Sequence, residues 1–233
     1  MGGFSDFSLG GSSPILSHGK QRWKPQKGKY RVSFIALPGL ENGAPNLDAD
    51  APVFKGGRRL YAKGVGYYLD HGPEYQKVAG GPSKTAIATT LVFWPVDANG
   101  VLDKGRLSGG EFQVQTWVFS LDKYRQLEAI HAEFPLTRHD LNIVVTDPQY
   151  HKMTFSPCRD SLLATLKERK PDFFKEVVST SKGIHENLQN DIAQDLTIDQ
   201  IREKLSGEVG SPTVGGGMSS NVDVDDVLDD VLG

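Results

Sequence analysis

Two periodicities divide the chain. From residue 29 to residue 157 the dominant repeat is two, as expected when successive strand side chains point to opposite faces. Residues 29–37 (KYRVSFIAL) put Tyr30, Val32, Phe34 and Ala36 on one side and Lys29, Arg31 and Ser33 on the other. Residues 60–69 (LYAKGVGYYL) read as a second strand, loosened by Gly64 and Gly66. Residues 85–96 form a third, ended by Pro95, and residues 111–120 (EFQVQTWVFS) alternate cleanly as a fourth. Residues 141–147 and 151–157 predict two more, joined by a short turn at Pro148. A long loop follows the first strand, residues 71–84 read as another, and DANG at 97–100 is a turn signal.

The repeat changes to threes and fours at residues 121–134. There Leu121, Tyr124, Leu127, Ile130 and Phe134 share a stripe behind Ser120, a candidate N-cap. Helical spacing returns over 157–169 and 171–180. Thr197 with Gln200 forms a capping box that opens a last short helix to Leu205, closed by Gly207. Five or six strands with one helix between the fourth and fifth predict a strand-rich α+β fold. That order is compatible with a small OB-like antiparallel Greek-key barrel, which binds oligonucleotides across one face. A generic α+β sandwich fits it as well. The expected organisation is a flexible N-terminus (1–19), an OB-like single-strand-binding core (20–156), a helical C-terminal extension (157–206), a flexible linker (207–220) and a disordered acidic tail (221–233).

Charge sharpens this division. The net charge is only -3, yet residues 20–84 hold twelve Lys or Arg against five acids. The last thirteen residues hold five Asp and no base. A basic body with an acidic end points to a polyanion partner. The single cysteine, Cys158, cannot form an internal disulfide, so an oxidising compartment gains no support. The first residues lack the basic and apolar regions of a secretory signal, and no run approaches the ~20 apolar residues of a membrane span. A cytoplasmic protein is expected, in the host cytoplasm if the source is viral.

Adjacent aromatics in a strand cannot enter the same core. Phe93 shares a face with Ile87 and Leu91, so Trp94 is expected to point away from the core. Tyr67 and Tyr68 must likewise diverge. Trp117 lies with Glu111, Gln113 and Gln115, opposite Phe112, Val114, Thr116 and Val118, and Trp23 sits in the basic stretch QRWKPQK. Aromatics outside a core, beside Lys and Arg, suit unpaired nucleic acid. Stacking tolerates any base and contributes roughly 1–3 kcal/mol each, while cations hold phosphates in a salt-dependent way. The candidate nucleic-acid-binding set is Arg22, Trp23, Lys24, Lys29, Arg31, Lys55, Arg58, Arg59, Tyr61, Lys63, Tyr67, Trp94 and Trp117. The competing reading buries Trp94 and Trp117 beneath the C-terminal helices.

The tail pairs carboxylates with aliphatics: Asp225, Asp226, Asp229 and Asp230 alternate with Leu228 and Leu232, which can share one side of a helical turn on a partner. It can also compete with phosphates for the protein's own basic groove. A basic strand-rich body, a Gly/Ser linker and the ending DDVLDDVLG resemble the single-stranded-DNA-binding (helix-destabilising) proteins of tailed bacteriophages. The segment GKYRVSFIALPG and the strand–KYRQLEAI helix–strand order at 111–146 are similar to the oligonucleotide-binding core of that group. The resemblance covers about two-thirds of the chain in layout, and the tail is its closest part. It implies cooperative coating of single-stranded DNA, with self-association, during DNA replication, recombination or repair. It also implies tail contacts with a polymerase or helicase loader. Some members hold zinc through Cys and His; with one Cys, no such site is predicted here, and no cofactor.

Enzymatic motifs fail. GGPSKT at 80–85 lacks the spacing of a phosphate loop. His131, His139 and His151 are spaced too irregularly for a recognisable zinc site, so solvated or locally hydrogen-bonded rings are expected. Cys158 near a helix start could have a lowered pKa, although a lone Cys is more often a small buried residue. No G-x-S-x-G elbow occurs. No enzyme is expected. Two other functions fit: a phage transcription cofactor that binds melted promoter and recruits RNA polymerase, and a structural or assembly protein that binds no nucleic acid.

Overall fold

The computed structural model describes residues 22–35, 54–147, 152–185 and 187–207. The acidic tail, and with it Asp225, Asp226, Leu228, Asp229, Asp230 and Leu232, lies outside the described residues, as does His151.

An α+β architecture is built on one open, seven-stranded antiparallel sheet. Its strands are β1 (Gly28–Phe34), β2 (Lys55–Ala62), β3 (Gly66–Leu69), β4 (Lys84–Trp94), β5 (Gln113–Ser120), β6 (Leu141–Val145) and β7 (Met153–Pro157). Short helices α1 (Pro73–Gln76) and α2 (Lys104–Ser108) flank β4 in sequence. Helix α3 (Leu121–Glu133) follows β5, and α4 (Leu162–Arg169), α5 (Pro171–His185), α6 (Leu188–Ile192) and α7 (Ile198–Gly207) follow β7.

Strand β4 organises the sheet because it is eleven residues long. Along one edge it holds β2 at residues 84–88 and β1 at residues 91–94; along the other it holds β5 from Ala86 to Phe93. Beyond β1 lie β6 and then β7. The rungs Lys55↔Ala88, Ser33↔Val92 and Val118↔Ala88 place alternate residues of all these strands on common faces.

Both faces are covered. On one, α5 presents the stripe Phe173, Phe174, Val177 and Val178, and α4 adds Leu162, Leu163 and Leu166. These pack on Ile35, Val92, Trp94 and Val114. Beside them Leu188 and Ile192 of α6 sit over Ala86 and Ala88. Their small side chains let the helix approach closely. On the other face Leu127 of α3, with Tyr124 and Ile130 alongside, packs on Val32, Phe34, Ile87, Leu91, Trp117 and Ile143. Each fully buried Leu, Ile or Phe contributes roughly 1.5–3 kcal/mol by leaving water, and the helices after residue 161 pack on the sheet in three separate clusters, the last formed by Ile201 of α7 on Leu60, Ala62 and Tyr68.

Several elements depart from the sequence reading. The single strand expected over 60–69 is a hairpin: β2 starts five residues earlier, and the chain reverses through Gly64 and Gly66, both at φ +83°. That left-handed backbone suits glycine, so the glycines are the turn itself. Helix α4 starts at Leu162, not at residue 157, because β7 runs to Pro157 and Ser161 is the N-cap, accepting from the Ala164 amide at 3.3 Å. Helix α5 continues past Thr180 to His185. The segment 71–84 contains α1. The capping box forms as expected: the Thr197 amide donates to Gln200 Oε1 at 2.9 Å, and the Gln200 amide to Thr197 Oγ1 at 3.3 Å. Helix α3 has Ser120 at its N-cap position, without a side-chain cap bond.

Isolated bridges attach the flanks. Trp23 donates its amide to the Thr116 carbonyl at 2.7 Å on β5. Gln194 pairs with β3, donating to the Tyr67 carbonyl and accepting from the Leu69 amide, both at 3.0 Å.

Candidate nucleic-acid interface

The tryptophans correct the sequence reading most sharply. Trp23, Trp94 and Trp117 are 6%, 3% and 1% exposed. The face assignments are right: Trp94 lies with Ala86, Ala88 and Val92, and Trp117 lies opposite Val114 and Val118. What fails is the inference that one face must be open. Trp94 belongs to the α4–α5 side of the core. Trp117 stacks near Phe119 at 4.2 Å between ring centroids and meets Trp23 at 5.3 Å. Trp23 also contacts Tyr30 and Phe93, at 5.2 and 5.0 Å. None of the three offers a free ring to a base.

A polar network explains why Trp94 is tolerated inside. Its indole Nε1–H donates to Ser33 Oγ at 2.7 Å. Ser33 donates in turn to Asp140 Oδ1. Arg31 Nε donates to Asp140 Oδ2 at 2.8 Å, and the Leu162 amide reaches both carboxylate oxygens at 3.1 Å. One fully buried carboxylate thus ties β1, β4 and the first turn of α4 together. Burial pushes the Asp140 carboxyl above its ordinary range, with Arg31, Ser33 and the Leu162 amide pulling the other way. Buried polar groups need such partners, so Arg31, expected to face DNA, is spent on structure.

The remaining cations divide. Lys29 is exposed, and its Nζ donates to the Asn99 carbonyl at 3.1 Å. Arg22 is half-buried beside Thr116, and Lys24 is exposed. On β2, Lys55 and Arg59 share a face, but between them Gly57 lies under Gln189 and Ile192 of α6. Arg58 is on the opposite face, exposed, donating to Ser83 Oγ at 3.2 Å and standing 3.8 Å from Asp70. The expected single cationic surface across the whole set is therefore not what the fold assembles.

The hairpin does assemble part of it. Tyr61 and Tyr67 are register partners, half-buried, with ring centroids 5.1 Å apart and planes at 53°. The Arg59 guanidinium lies 3.9 Å over the Tyr67 ring, a cation–π contact, and donates to the Ile192 carbonyl at 3.4 Å. Exposed Lys63 occupies the turn. Lys84, missed as a site residue, is the register partner of Arg59. The signal was available: residues 59, 61 and 67 fall on one face once Gly64 and Gly66 are read as a reversal. Tyr68 points the other way and is fully buried against Leu60 and Ile201. Burial, with Asp70 nearby, pushes its phenol up.

The hairpin is anchored from behind. Asp70 accepts from the Gly72 amide at 3.0 Å and from Gln76 Nε2. A hydrogen bond from Ser83 is the main cause that lowers the Asp70 carboxyl; burial opposes it, and the Gly72 amide, Gln76 and Arg58 assist.

The histidines have local partners. His131 Nδ1 accepts from the Leu136 amide at 3.0 Å, and His139 Nδ1 lies 3.0 Å from the Cys158 carbonyl. Cys158 sits ahead of the α4 cap. Burial raises its thiol pKa, with Arg31 opposing, against the lowering that a helix start suggested. No described helix is long and apolar enough to cross a membrane. The sequence matches no family model, and no curated protein matches it.

Proposed function

We propose that this protein is a sequence-tolerant single-stranded-DNA-binding protein of phage DNA replication, recombination or repair. The β2–β3 hairpin is its contact surface, and the acidic tail regulates binding and recruits a polymerase or helicase loader. One observation carries the reading: Arg59, Tyr61 and Tyr67 share a partly open face, with Lys84 beside them. Half-exposed rings next to cations are what an unpaired strand requires.

The strand order supports an OB-like core for this role. Strands β1, β4 and β5 form a meander, α3 follows, and β6 returns to the far side of β1 with β7 beside it. Ring contact between Trp117 of β5 and Phe155 of β7, at 6.0 Å, is compatible with curling of the two ends toward one another. In such barrels the loop between the first two strands is a usual oligonucleotide contact. Here that connection carries the hairpin. The β4–β5 surface that such folds also use lies under α5 and α6. The described residues carry twenty-five Lys and Arg against eighteen Asp and Glu, a net +7, which favours a polyanion partner.

Because all three tryptophans are buried, binding is best read by anisotropy of a labelled oligo-dT, not by tryptophan quenching. The expected result is binding that weakens with salt and exceeds binding to duplex of equal length. Equal affinity for both would remove the proposal. Deleting residues 221–233 should tighten binding; unchanged affinity would remove the self-competition role of the tail. Loss of the tryptophans as platforms favours one competitor, an assembly protein that binds no nucleic acid, and a gel shift separates it. The transcription-cofactor reading uses the same residues, and co-purification with RNA polymerase would decide for it.

A further inference from the structure

Tyr61 and Tyr67 face one another across the hairpin, yet their surroundings differ. Helix α6 lies over this face of β2: a side chain at Gly57 would meet Gln189 Nε2 at 3.3 Å and Ile192 Cγ2 at 3.4 Å. Two residues on, Arg59 donates to the carbonyl of Ile192, the last residue of α6, at 3.4 Å. Cations suit the carbonyl end of a helix. Tyr61 lies two residues further, about 7 Å along the strand. On β3, the chain leaving α6 reaches Tyr67, whose carbonyl accepts from the Gln194 amide at 3.0 Å. The Tyr67 ring packs against the cluster that holds Leu188, Ile192 and Ala193, and the Arg59 guanidinium covers that ring at 3.9 Å. Tyr61 belongs to none of the four apolar clusters among the described residues, and its described ring contact is with Tyr67.

We infer that Tyr61 is the ring on which a base of the bound strand stacks, and that Tyr67 and Arg59 are positioning residues that hold it. A base reaches the covered side of Tyr67 only by displacing Arg59. The guanidinium is itself held by the Tyr67 ring and by the end of α6, so it buttresses the pair instead of meeting a phosphate. A ring fixed in advance loses less freedom when a base arrives. This rests on the proposed single-strand binding and specifies which side chain of the hairpin meets a base and which two support it.

The test uses the full chain. Oligo-dT substituted with 5-iododeoxyuridine is bound and irradiated, and the cross-linked residue is mapped by mass spectrometry. Attachment at Tyr61 is expected; attachment at Tyr67, or at neither tyrosine, overturns the inference. Anisotropy of labelled oligo-dT then separates the roles. Tyr61→Leu is expected to weaken binding about tenfold, the scale of losing one stacked base. Tyr61→Phe keeps the ring and is expected to bind as the wild type does; a loss equal to that of Tyr61→Leu overturns the stacking role. Tyr67→Leu keeps apolar packing on α6 and is expected to weaken binding only about threefold, the scale of a lost cation–π contact. A loss as large as that of Tyr61→Leu overturns the assignment. Arg59→Gln is expected to weaken binding about threefold with the salt dependence unchanged. A salt slope lower by about one is the mark of a lost phosphate contact and overturns the positioning role of Arg59. Absence of wild-type binding to oligo-dT sinks the proposed function itself, so the two failures are distinguishable.

Discussion

Trp94 and Tyr61 occupy the same face of the same sheet, yet one is enclosed and the other half-open. Trp94 lies where α4 and α5 cross the sheet, and its polar atom is held by Ser33 and, through it, Asp140. Tyr61 lies in the hairpin beyond the span of those helices, with Tyr67 and Arg59 around it. Alternation along a strand decides which face a side chain takes. Whether that face meets solvent is decided by elements remote in sequence. The central sheet is therefore enclosed by helices around Trp94, whereas the hairpin keeps Tyr61 and Tyr67 partly open, as the proposed binding role needs.

The largest effect that tests this contrast is expected at Trp117. Trp117→Ala should destabilise the fold by about 3–5 kcal/mol, the usual range for deleting a buried aromatic, as read by urea denaturation. Oligo-dT affinity per folded molecule should not change; a selective loss of affinity without loss of stability would return Trp117 to the binding surface. Asp140→Ala comes next. Removing it strands Arg31, Ser33 and the Leu162 amide, and breaking a buried pair costs about 3 kcal/mol or more. A thermal midpoint unaltered by the change would show that this network is dispensable. Tyr61→Ala should behave in the reverse manner to Trp117→Ala, with little change in stability and a loss of roughly 1–3 kcal/mol in single-strand binding.

The smallest effect concerns pH, and the two regions should respond with opposite sign. In the core, the folded Asp140 pKa is raised, so ionisation disfavours the folded state. Wild-type stability relative to Asp140→Asn should fall as pH rises from about 3.9, the unfolded value, toward the folded one. In the hairpin, the folded Asp70 pKa is lowered. Its contribution is present above about 3.9 and should disappear as pH falls through the folded value. Chemical denaturation of both Asn variants from pH 3 to pH 7 checks the signs; parallel curves would show that the two carboxylates occupy equivalent settings.

The parts legible in the sequence were those with a clear apolar period, and even the five-residue β6 and β7 fall within two residues of their expected limits. Strand β4 and helix α3 are eleven and thirteen residues long and fall within two residues of their expected limits. The first half of β2 was hidden because Gly56, Gly57, Arg58 and Arg59 give no apolar alternation. The one-turn helix α6 is too short to show a stripe, yet Leu188 and Ile192 cover a stretch of β4. Missing that helix also meant missing the separation of Lys55 from Arg59. At the site, residue types were legible but partnership was not. Nothing near Arg31 in sequence points to Asp140, 109 positions away. Tyr61 and Tyr67 were recoverable because only a short glycine turn separates them.

Trp23 and Gln194 have a consequence for solubility. Each lays a single residue of main chain along an outer border of the sheet, Trp23 on β5 and Gln194 on β3. Unpaired strand borders are templates for neighbouring molecules to add to, and at these borders a clip already occupies hydrogen-bonding positions. A chain trimmed past Trp23 would lose more than an aromatic anchor. It would expose the rim of β5 and invite edge-to-edge growth between copies.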